Sequence, residues 1–209
     1  WYSNMAVHES DLLIAVGSRY DDRVTGKVDA FAPKAEHIHV DVDPASISKN
    51  IKVDYPIVGD CKSVLQRLLP MAKPADTAEW RKLIDHWKET HPLKYKDGGP
   101  GIKPQYVIEQ IHEVLGDDTV LTSDVGQHQM WLALHYQFVN PRSHITSGGL
   151  GTMGFGFPAA IGAALARPKG KVVAVVGDGG FQMTAQEIST AVSQRLDVIC
   201  CILNNGFLG

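Results

Sequence analysis

Long apolar runs are missing from this 209-residue sequence: none approaches the ~18–20 residues a helix needs to cross a bilayer, so no membrane span is expected. Cysteine is scarce. The three present, Cys61, Cys200 and Cys201, form no CxxC pair, which argues against a disulfide frame or zinc site and leaves buried, reduced thiols. An excess of positive charge is lacking too. Twenty Lys and Arg against 23 Asp and Glu give a formal charge of −3, and so no basic field for nucleic acid or an anionic membrane. Charges are interspersed, which excludes an acidic or basic tail. No leader pattern opens the chain. What remains is 44% hydrophobic and 21% charged, ordinary for a globular protein of one large or two small domains. The element cut at Trp1 and the strand ending shortly before Gly209 read as the ends of a piece of something longer.

The last third of the chain carries the most information. An apolar run, Val172 to Val176, ends in Gly177-Asp178-Gly179; an amphipathic segment follows, and a second apolar run, Val198 to Leu203, ends in Asn204-Asn205. Short β-branched runs flanking a helical period make a βαβ unit with both strands buried. Its right-handed crossover sends both strand ends to the same sheet edge. Asp178 and Asn205, 27 positions apart, should then meet in the crevice where open α/β sheets bind ligands. A carboxylate, an amide oxygen and nearby carbonyls are hard donors suited to Mg²⁺, which takes one or two protein carboxylates plus phosphate and water. Glycines flanking Asp178 let a phosphate approach the backbone. The turn lacks the Lys-Ser/Thr pair of a P-loop, so a metal has to neutralise the phosphates. An incidental Gly-Asp-Gly in an ordinary strand-turn-helix is the plain alternative, and the Asn pair argues against it.

Earlier in the chain, residues 1–9 read as the end of a helix. A buried strand is expected at Asp11–Gly17, a second strand at His37–Asp41 and a third, short one at Tyr55–Gly59, the last followed by Asp60-Cys61 and a helix to about Leu69. Three strands each ending in Gly or Asp make half of a doubly wound nucleotide-binding sheet. Asp41 either grips a ribose hydroxyl or, with Asp43, solvates a turn before Pro44, and the residues alone leave the two about even. His37 and His39 share one face of their strand; with no third ligand, a packed or solvent-facing pair is favoured over a metal site. Met71–Ala78 reads as linker, Ala78–Thr90 as an amphipathic helix with Trp80, Leu83, Ile84 and Trp87 on one stripe, and Tyr95–Gly101 as a domain boundary. The expected division is residues 1–73, a linker with its helix over 74–103, and a second domain over 104–209.

That second domain should open with a helix from Pro104 to Leu115, facing Val107, Ile108, Ile111, Val114 and Leu115 inward. A strand Thr119–Ser123 ends at Asp124, and Gly126-Gln127-His128 opens a helix on the ligand side. Strand His144–Ser147 leads to a loop, Gly148 to Gly156, with five glycines in nine positions; Pro158 begins the next helix. Gly149, Gly151 and Gly154 satisfy the dinucleotide fingerprint. Five glycines, however, imply backbone pressed against a flat ligand over several residues, and Asp178 sits in a phosphate turn instead of pointing at a ribose. The fingerprint is set aside. The fold class is α/β, with two doubly wound parallel-sheet domains, both incomplete.

Gly177-Asp178-Gly179, a 24-residue gap and Asn204-Asn205 resemble the diphosphate motif of thiamine-diphosphate enzymes. Five segments, ESDLLIAVGSRYDDRVTGK, HIHVDVDP, SDVGQHQMW, TSGGLGTMGFGFPAAIGAALA and GDGGFQMTAQEISTA, together resemble the large catalytic subunit of the acetohydroxyacid synthase (acetolactate synthase) family over essentially the whole chain. The resemblance implies three cofactors. Thiamine diphosphate would be held at Gln127, His128, Gly151, Thr152, Met153, Asp178, Gly179, Gly180 and Asn205, with Met153 propping its bent form. Mg²⁺ would sit on Asp178, Asn205 and the carbonyl of Phe207. FAD would contact Gly17, Ser18, Arg19, Tyr20, Asp21, Asp22, Arg23, Asp41, Val42, Asp60 and Cys61, with Gly148 near the flavin; Arg23 also lines the substrate channel in relatives.

The implied activity is that of a transferase: pyruvate is decarboxylated and its two-carbon unit condensed with a second 2-ketoacid, giving 2-acetolactate or 2-aceto-2-hydroxybutyrate, the first common step of branched-chain amino-acid biosynthesis. The catalytic glutamate of such enzymes belongs to an N-terminal domain outside these residues and is supplied across the interface of a homodimer or tetramer. No catalytic residue is therefore expected in this chain, and the chain alone is expected to be inactive. A small regulatory subunit is an implied partner; nucleic acid and membrane are not. The implied compartment is the bacterial cytoplasm, or a plastid or mitochondrion in a eukaryote. Another thiamine-diphosphate carboligase or decarboxylase, or a non-catalytic flavin- or nucleotide-binding module, are the alternatives.

Overall fold

Every strand pairing among the described residues is parallel. The structure is a computed structural model describing all residues except Asp97, Pro100, Leu208 and Gly209. The first two belong to the expected Tyr95–Gly101 boundary and the last two to the terminal stretch, so those parts of both lie outside the described residues. Two units are present, Trp1–Lys94 and Tyr95–Gly209. The division falls inside the 74–103 segment and assigns its amphipathic helix to the first unit.

In the first unit α1 (Tyr2–His8) leads into β1 (Leu12–Val16), the short helix α2 (Asp22–Thr25), β2 (Glu36–Asp41), β3 (Tyr55–Val58), α3 (Cys61–Leu68) and α4 (Ala78–Thr90), with sheet order β1-β2-β3. Ala15, Tyr20, Ile51 and Val53 form its core. The Tyr20 ring meets His37 and His39 edge-on at 5.7 and 5.1 Å between centroids, and both histidines are buried. They are a packed pair. Among the described residues no group of three metal-binding side chains exists anywhere. The expectation that β1 is buried holds fully only for Ala15: Leu12, Ile14 and Val16 stay 37–47% exposed on a strand that lies at the edge of its sheet. On α4, Trp87 packs edge-on against Trp80 at 5.9 Å and Trp1 at 6.4 Å, which ties the helix to α1's end of the unit.

In the second unit come α5 (Pro104–Leu115), β4 (Thr119–Ser123), α6 (Gln127–His135), β5 (His144–Thr146), α7 (Gly156–Ala166), β6 (Lys171–Gly177), α8 (Asp178–Met183), α9 (Ile188–Ser193) and β7 (Ile199–Leu203), in sheet order β5-β4-β6-β7. The continuous apolar run of β6, Val172 to Val176, reflects burial on both faces, and β4, though it carries Thr119, Thr122 and Ser123, is buried along its whole length. Leu121, Val173 and Val175 point into one layer with Ile108 of α5 and Leu132 of α6; Val120, Val172, Ala174 and Val176 point into the other, against Phe157, Ala160, Ile161 and Ala164 of α7. Helices on both faces make this sheet doubly wound.

Four local expectations need correction. Val114 is 72% exposed: the inward stripe of α5 is Ile108, Ile111 and Leu115, and six residues past Ile108 the helix has turned away. β7 is not buried like β6; as the edge strand it leaves Ile199 and Ile202 exposed at 48% and 41%. α7 begins at Gly156, so Pro158 is its third residue, where the missing N–H is still one of the unpaired first-turn donors. The amphipathic segment after Asp178 is broken into α8, a 3₁₀ turn and α9; at the break the Thr184 hydroxyl donates to the Gly154 carbonyl (3.2 Å).

All three cysteines are free. Burial, helped by neighbouring Cys201, pushes the Cys200 thiol up to about 11. His144 of β5 stacks on Phe138 at 4.4 Å, and burial holds its imidazole below the usual histidine range. The unfolded chain therefore binds a proton that the folded chain resists between the lowered pKa and ~6.5. Stability of the second unit should be complete above about pH 6.5 and decline as the pH falls from there. Urea unfolding at a series of pH values checks this, and His144→Gln should make that decline shallower.

Candidate functional site

The side chains with chemistry sit where the parallel strands of the second unit end. β6 and β7 are direct neighbours, with Gly177 opposite Leu203. Asp178 follows one residue past that register and Asn205 two, so both emerge at the same edge. They line one cleft of about 250 Å³ together with Gln127, His128, Trp131, Met153 and Phe207. Of the residues expected to hold thiamine diphosphate, Gln127, His128, Met153, Asp178, Gly179, Gly180 and Asn205 line it; Gly151 and Thr152 do not. Those two belong to the preceding turn, where Gly151 N–H donates to the Ser147 carbonyl (2.8 Å) and Thr152 N–H to the Ser147 hydroxyl (3.1 Å).

The cleft's donors fit a metal-bridged diphosphate. Asp178, the first residue of α8, has no hydrogen bond or ion pair among the described residues and keeps its carboxylate for a ligand. Asn205 Oδ1 accepts from Phe207 N–H at 3.0 Å, which curls the chain end so that Phe207 also faces the cleft. No lysine or arginine lines the cleft among the described residues. An anionic diphosphate beside Asp178 would thus need a divalent cation, and one carboxylate with one amide leaves most of its coordination sphere to phosphate and water, as Mg²⁺ prefers. The N-terminus of α6 lies at the cleft, a favourable place for an anion.

His128 is buried, and its Nε2 has no partner among the described residues. Burial lowers its pKa, and the Asp124 carboxylate and carbonyl and the Asp178 carboxylate only partly oppose this. A neutral imidazole with a free nitrogen can donate to or accept from a ligand oxygen. The glycines of the Gly177-Asp178-Gly179-Gly180 turn serve side chains as well as a ligand. A Cβ on Gly177 would lie 3.0 Å from His128 Cε1, and one on Gly180 2.7 Å from Asp124 Oδ2.

Asp124 is the functional candidate that sequence reasoning missed. It is fully buried at the end of β4, accepting from Val125 N–H (2.7 Å) and Gly154 N–H (2.9 Å). The available signal was an acid directly after the expected strand Thr119–Ser123, on the edge where Asp178 also lies.

In the first unit the expected flavin residues gather at the ends of β1, β2 and β3. Gly17 adopts φ +62°, and a Cβ there would stand 3.1 Å from Cys61 Sγ at the start of α3. Several members have structural work. Tyr20 is core. Asp21 caps α2 through Val24 N–H, and Asp60 caps α3 through Ser63 N–H and hydroxyl at 2.9 Å each; those bonds hold the Asp60 carboxyl below its usual range. Asp41 Oδ1 accepts from Asp43 N–H (2.9 Å), and Asp43 in turn accepts from Ala45 N–H, which is the turn-solvating arrangement. Ser18, Arg19, Asp22, Arg23 and Val42 are exposed. Gly148 lies in the second unit.

Residues 1–68 match the family described as thiamine pyrophosphate enzyme, central domain, and residues 124–209 match thiamine pyrophosphate enzyme, C-terminal TPP binding domain. Among curated relatives, the acetolactate synthase large subunit of Haemophilus influenzae is 47% identical over 213 residues, covering 99% of this chain and 37% of its own. The acetolactate synthase isozyme 3 large subunit of Escherichia coli is 46% identical, again over 99% of this chain and 37% of its own. A probable acetolactate synthase large subunit of Methanocaldococcus jannaschii is 46% identical, at 99% and 36%. The chain thus spans just over a third of the length of these relatives. Among the described residues no helix is long and apolar enough to cross a membrane. With both domain matches in chain order and alignments to these relatives covering nearly every residue, the chain belongs to the thiamine pyrophosphate enzyme family.

Proposed function

We propose that this chain is the central part of an acetolactate synthase catalytic subunit, binding thiamine diphosphate and Mg²⁺ in the second unit and FAD in the first. The observation that carries the reading is the pairing of β6 with β7, which brings Asp178 and Asn205 to one cleft. Bound thiamine diphosphate would supply a thiazolium ring whose carbon, once deprotonated, is nucleophilic toward a 2-keto group and whose cationic form can take up the electron pair left by departing CO₂. The chain's own contribution is binding and orientation. Asp178, Asn205 and the Phe207 carbonyl hold the cation; Gln127 and His128 receive the diphosphate at the N-terminus of α6; Met153 supports the ring system; and Trp131 walls off water. Gly17 to Arg23, Asp41, Val42, Asp60 and Cys61 offer FAD the usual crevice outside parallel strand ends. The names of the relatives, acetolactate synthase large subunit, support acetolactate-forming chemistry and a smaller partner subunit; pyruvate with a second 2-ketoacid, and a partner catalytic subunit completing the site, rest on the sequence resemblance.

Three outcomes test the reading. The longer protein carrying this segment, given pyruvate and 2-ketobutyrate, should form both 2-acetolactate and 2-aceto-2-hydroxybutyrate; acetaldehyde alone would mark a simple decarboxylase. Asp178→Ala should weaken Mg²⁺-dependent thiamine diphosphate binding, followed by Trp131 fluorescence, by at least about a hundredfold, since one of very few protein ligands is lost. Unchanged binding would remove the metal anchor. Gly177→Ala should displace the His128 ring and weaken binding about tenfold while leaving the Mg²⁺ requirement intact.

A further inference from the structure

Asp124 has no role in the assignment above, yet it touches more of the cleft's framework than any residue that does. It is completely buried, and no lysine or arginine pairs with it among the described residues. Backbone donors take that place. Val125 N–H reaches Oδ1 at 2.7 Å, and Gly154 N–H is shared between Oδ1 and Oδ2 at 2.9 and 3.0 Å. Gly154 directly follows Met153, a cleft residue, and has φ +83°, so this loop turn depends on glycine as well as on the carboxylate. On its other side the carboxylate fills the space a Cβ of Gly180 would need, 2.7 Å from Oδ2 and 2.8 Å from Cγ. Gly180 is not among the glycines with positive φ; its backbone would accept alanine, and the three atoms nearest to that Cβ all belong to the Asp124 carboxylate. Gly156, opening α7, would bring a Cβ within 2.6 Å of the Asp124 backbone nitrogen.

We propose that Asp124 is a positioning residue for the cofactor cleft: its buried carboxylate latches the glycine-rich loop to the first turn of α8, and so sets Met153 against Asp178. It acts through Gly154 and Gly180 and touches no ligand itself. A merely space-filling residue would not need an acid. Two amides converge on Oδ1, and a third contact reaches Oδ2, so any isosteric apolar side chain leaves buried N–H groups unpaired. Asparagine keeps both bonds at Oδ1 and loses only the weaker half of the shared one. The inference rests on the thiamine diphosphate reading for its consequence, but not for its geometry.

A mutant cycle on the longer protein carrying this segment tests it with two readouts: hydrogen exchange at the Gly154 amide without ligand, and thiamine diphosphate binding in Mg²⁺ by calorimetry. Asp124→Ala should expose the Gly154 amide to exchange and weaken binding about tenfold or more, whereas Asp124→Asn should stay within about threefold of the parent. Gly180→Ala should weaken binding in the parent background and add nothing once Asp124→Ala has removed the obstructing carboxylate, a non-additive pair. If Asp124→Ala does not fold, hydrogen exchange at the Gly154 amide in the other two variants still decides the matter: the latch requires near-parent protection in Asp124→Asn and a marked loss in Gly180→Ala, which a ligand contact of Gly180 would not produce. Gly154 protection unaltered in Asp124→Ala, equal losses in Asp124→Asn and Gly180→Ala, or simple additivity would overturn the proposal. A longer parent protein that shows the predicted exchange pattern in its variants but binds no thiamine diphosphate keeps the latch and sinks the cofactor reading instead.

Discussion

Parallel pairing of two adjacent strands is the constraint on which the site depends. Because β6 and β7 run in the same direction and share a register, the residues just past their ends must appear side by side, whatever the intervening helices do. The crossover between them is irregular, broken at Thr184, and the placement of Asp178 and Asn205 survives that irregularity. Burial on both faces fixes β6 in the middle of the sheet, since Val172 to Val176 are all in contact with one helix layer or the other. Sliding β6 by one residue would exchange the side chains of the two layers and move Asp178 off the edge at once.

Much of this could be seen in the residue order. Strand positions followed from short β-branched runs, and the cleft from their glycine, aspartate and asparagine ends. The errors have a common origin: a sequence shows that a segment is apolar, but not how many neighbours its strand or helix has. β1 and β7 read like β6 and yet stand at sheet edges with one side open. Val114 reads like Leu115 and yet lies off the packed stripe. The histidine pair on β2 was legible as packing because alternation places His37 and His39 on one face, and that face turned out to carry Tyr20.

Asp124 escaped notice for a different reason. Its partners are main-chain amides and glycines some 30 residues away, and neither leaves a mark in a motif. The same point changes the meaning of the Gly177-Asp178-Gly179-Gly180 turn. Read from the sequence, its glycines clear room for a phosphate. In the structure, Gly177 clears room for the His128 ring and Gly180 for the Asp124 carboxylate. A turn that seemed shaped around a ligand is shaped first around two neighbouring side chains, which in turn border the space the ligand would fill.

The adjacent thiols of Cys200 and Cys201 show what alternation along a strand does to reactivity. Cys200 packs into the α7 layer and Cys201 into the α6 layer, so the sheet itself separates two sulfurs that are neighbours in covalent order. Such a pair cannot close a vicinal disulfide ring or pinch a soft metal ion while β7 stays paired. Each sulfur meets an oxidant alone, and with the Cys200 thiol largely uncharged at neutral pH that encounter is slow. Two consecutive cysteines here are chemically as far apart as if they belonged to different strands.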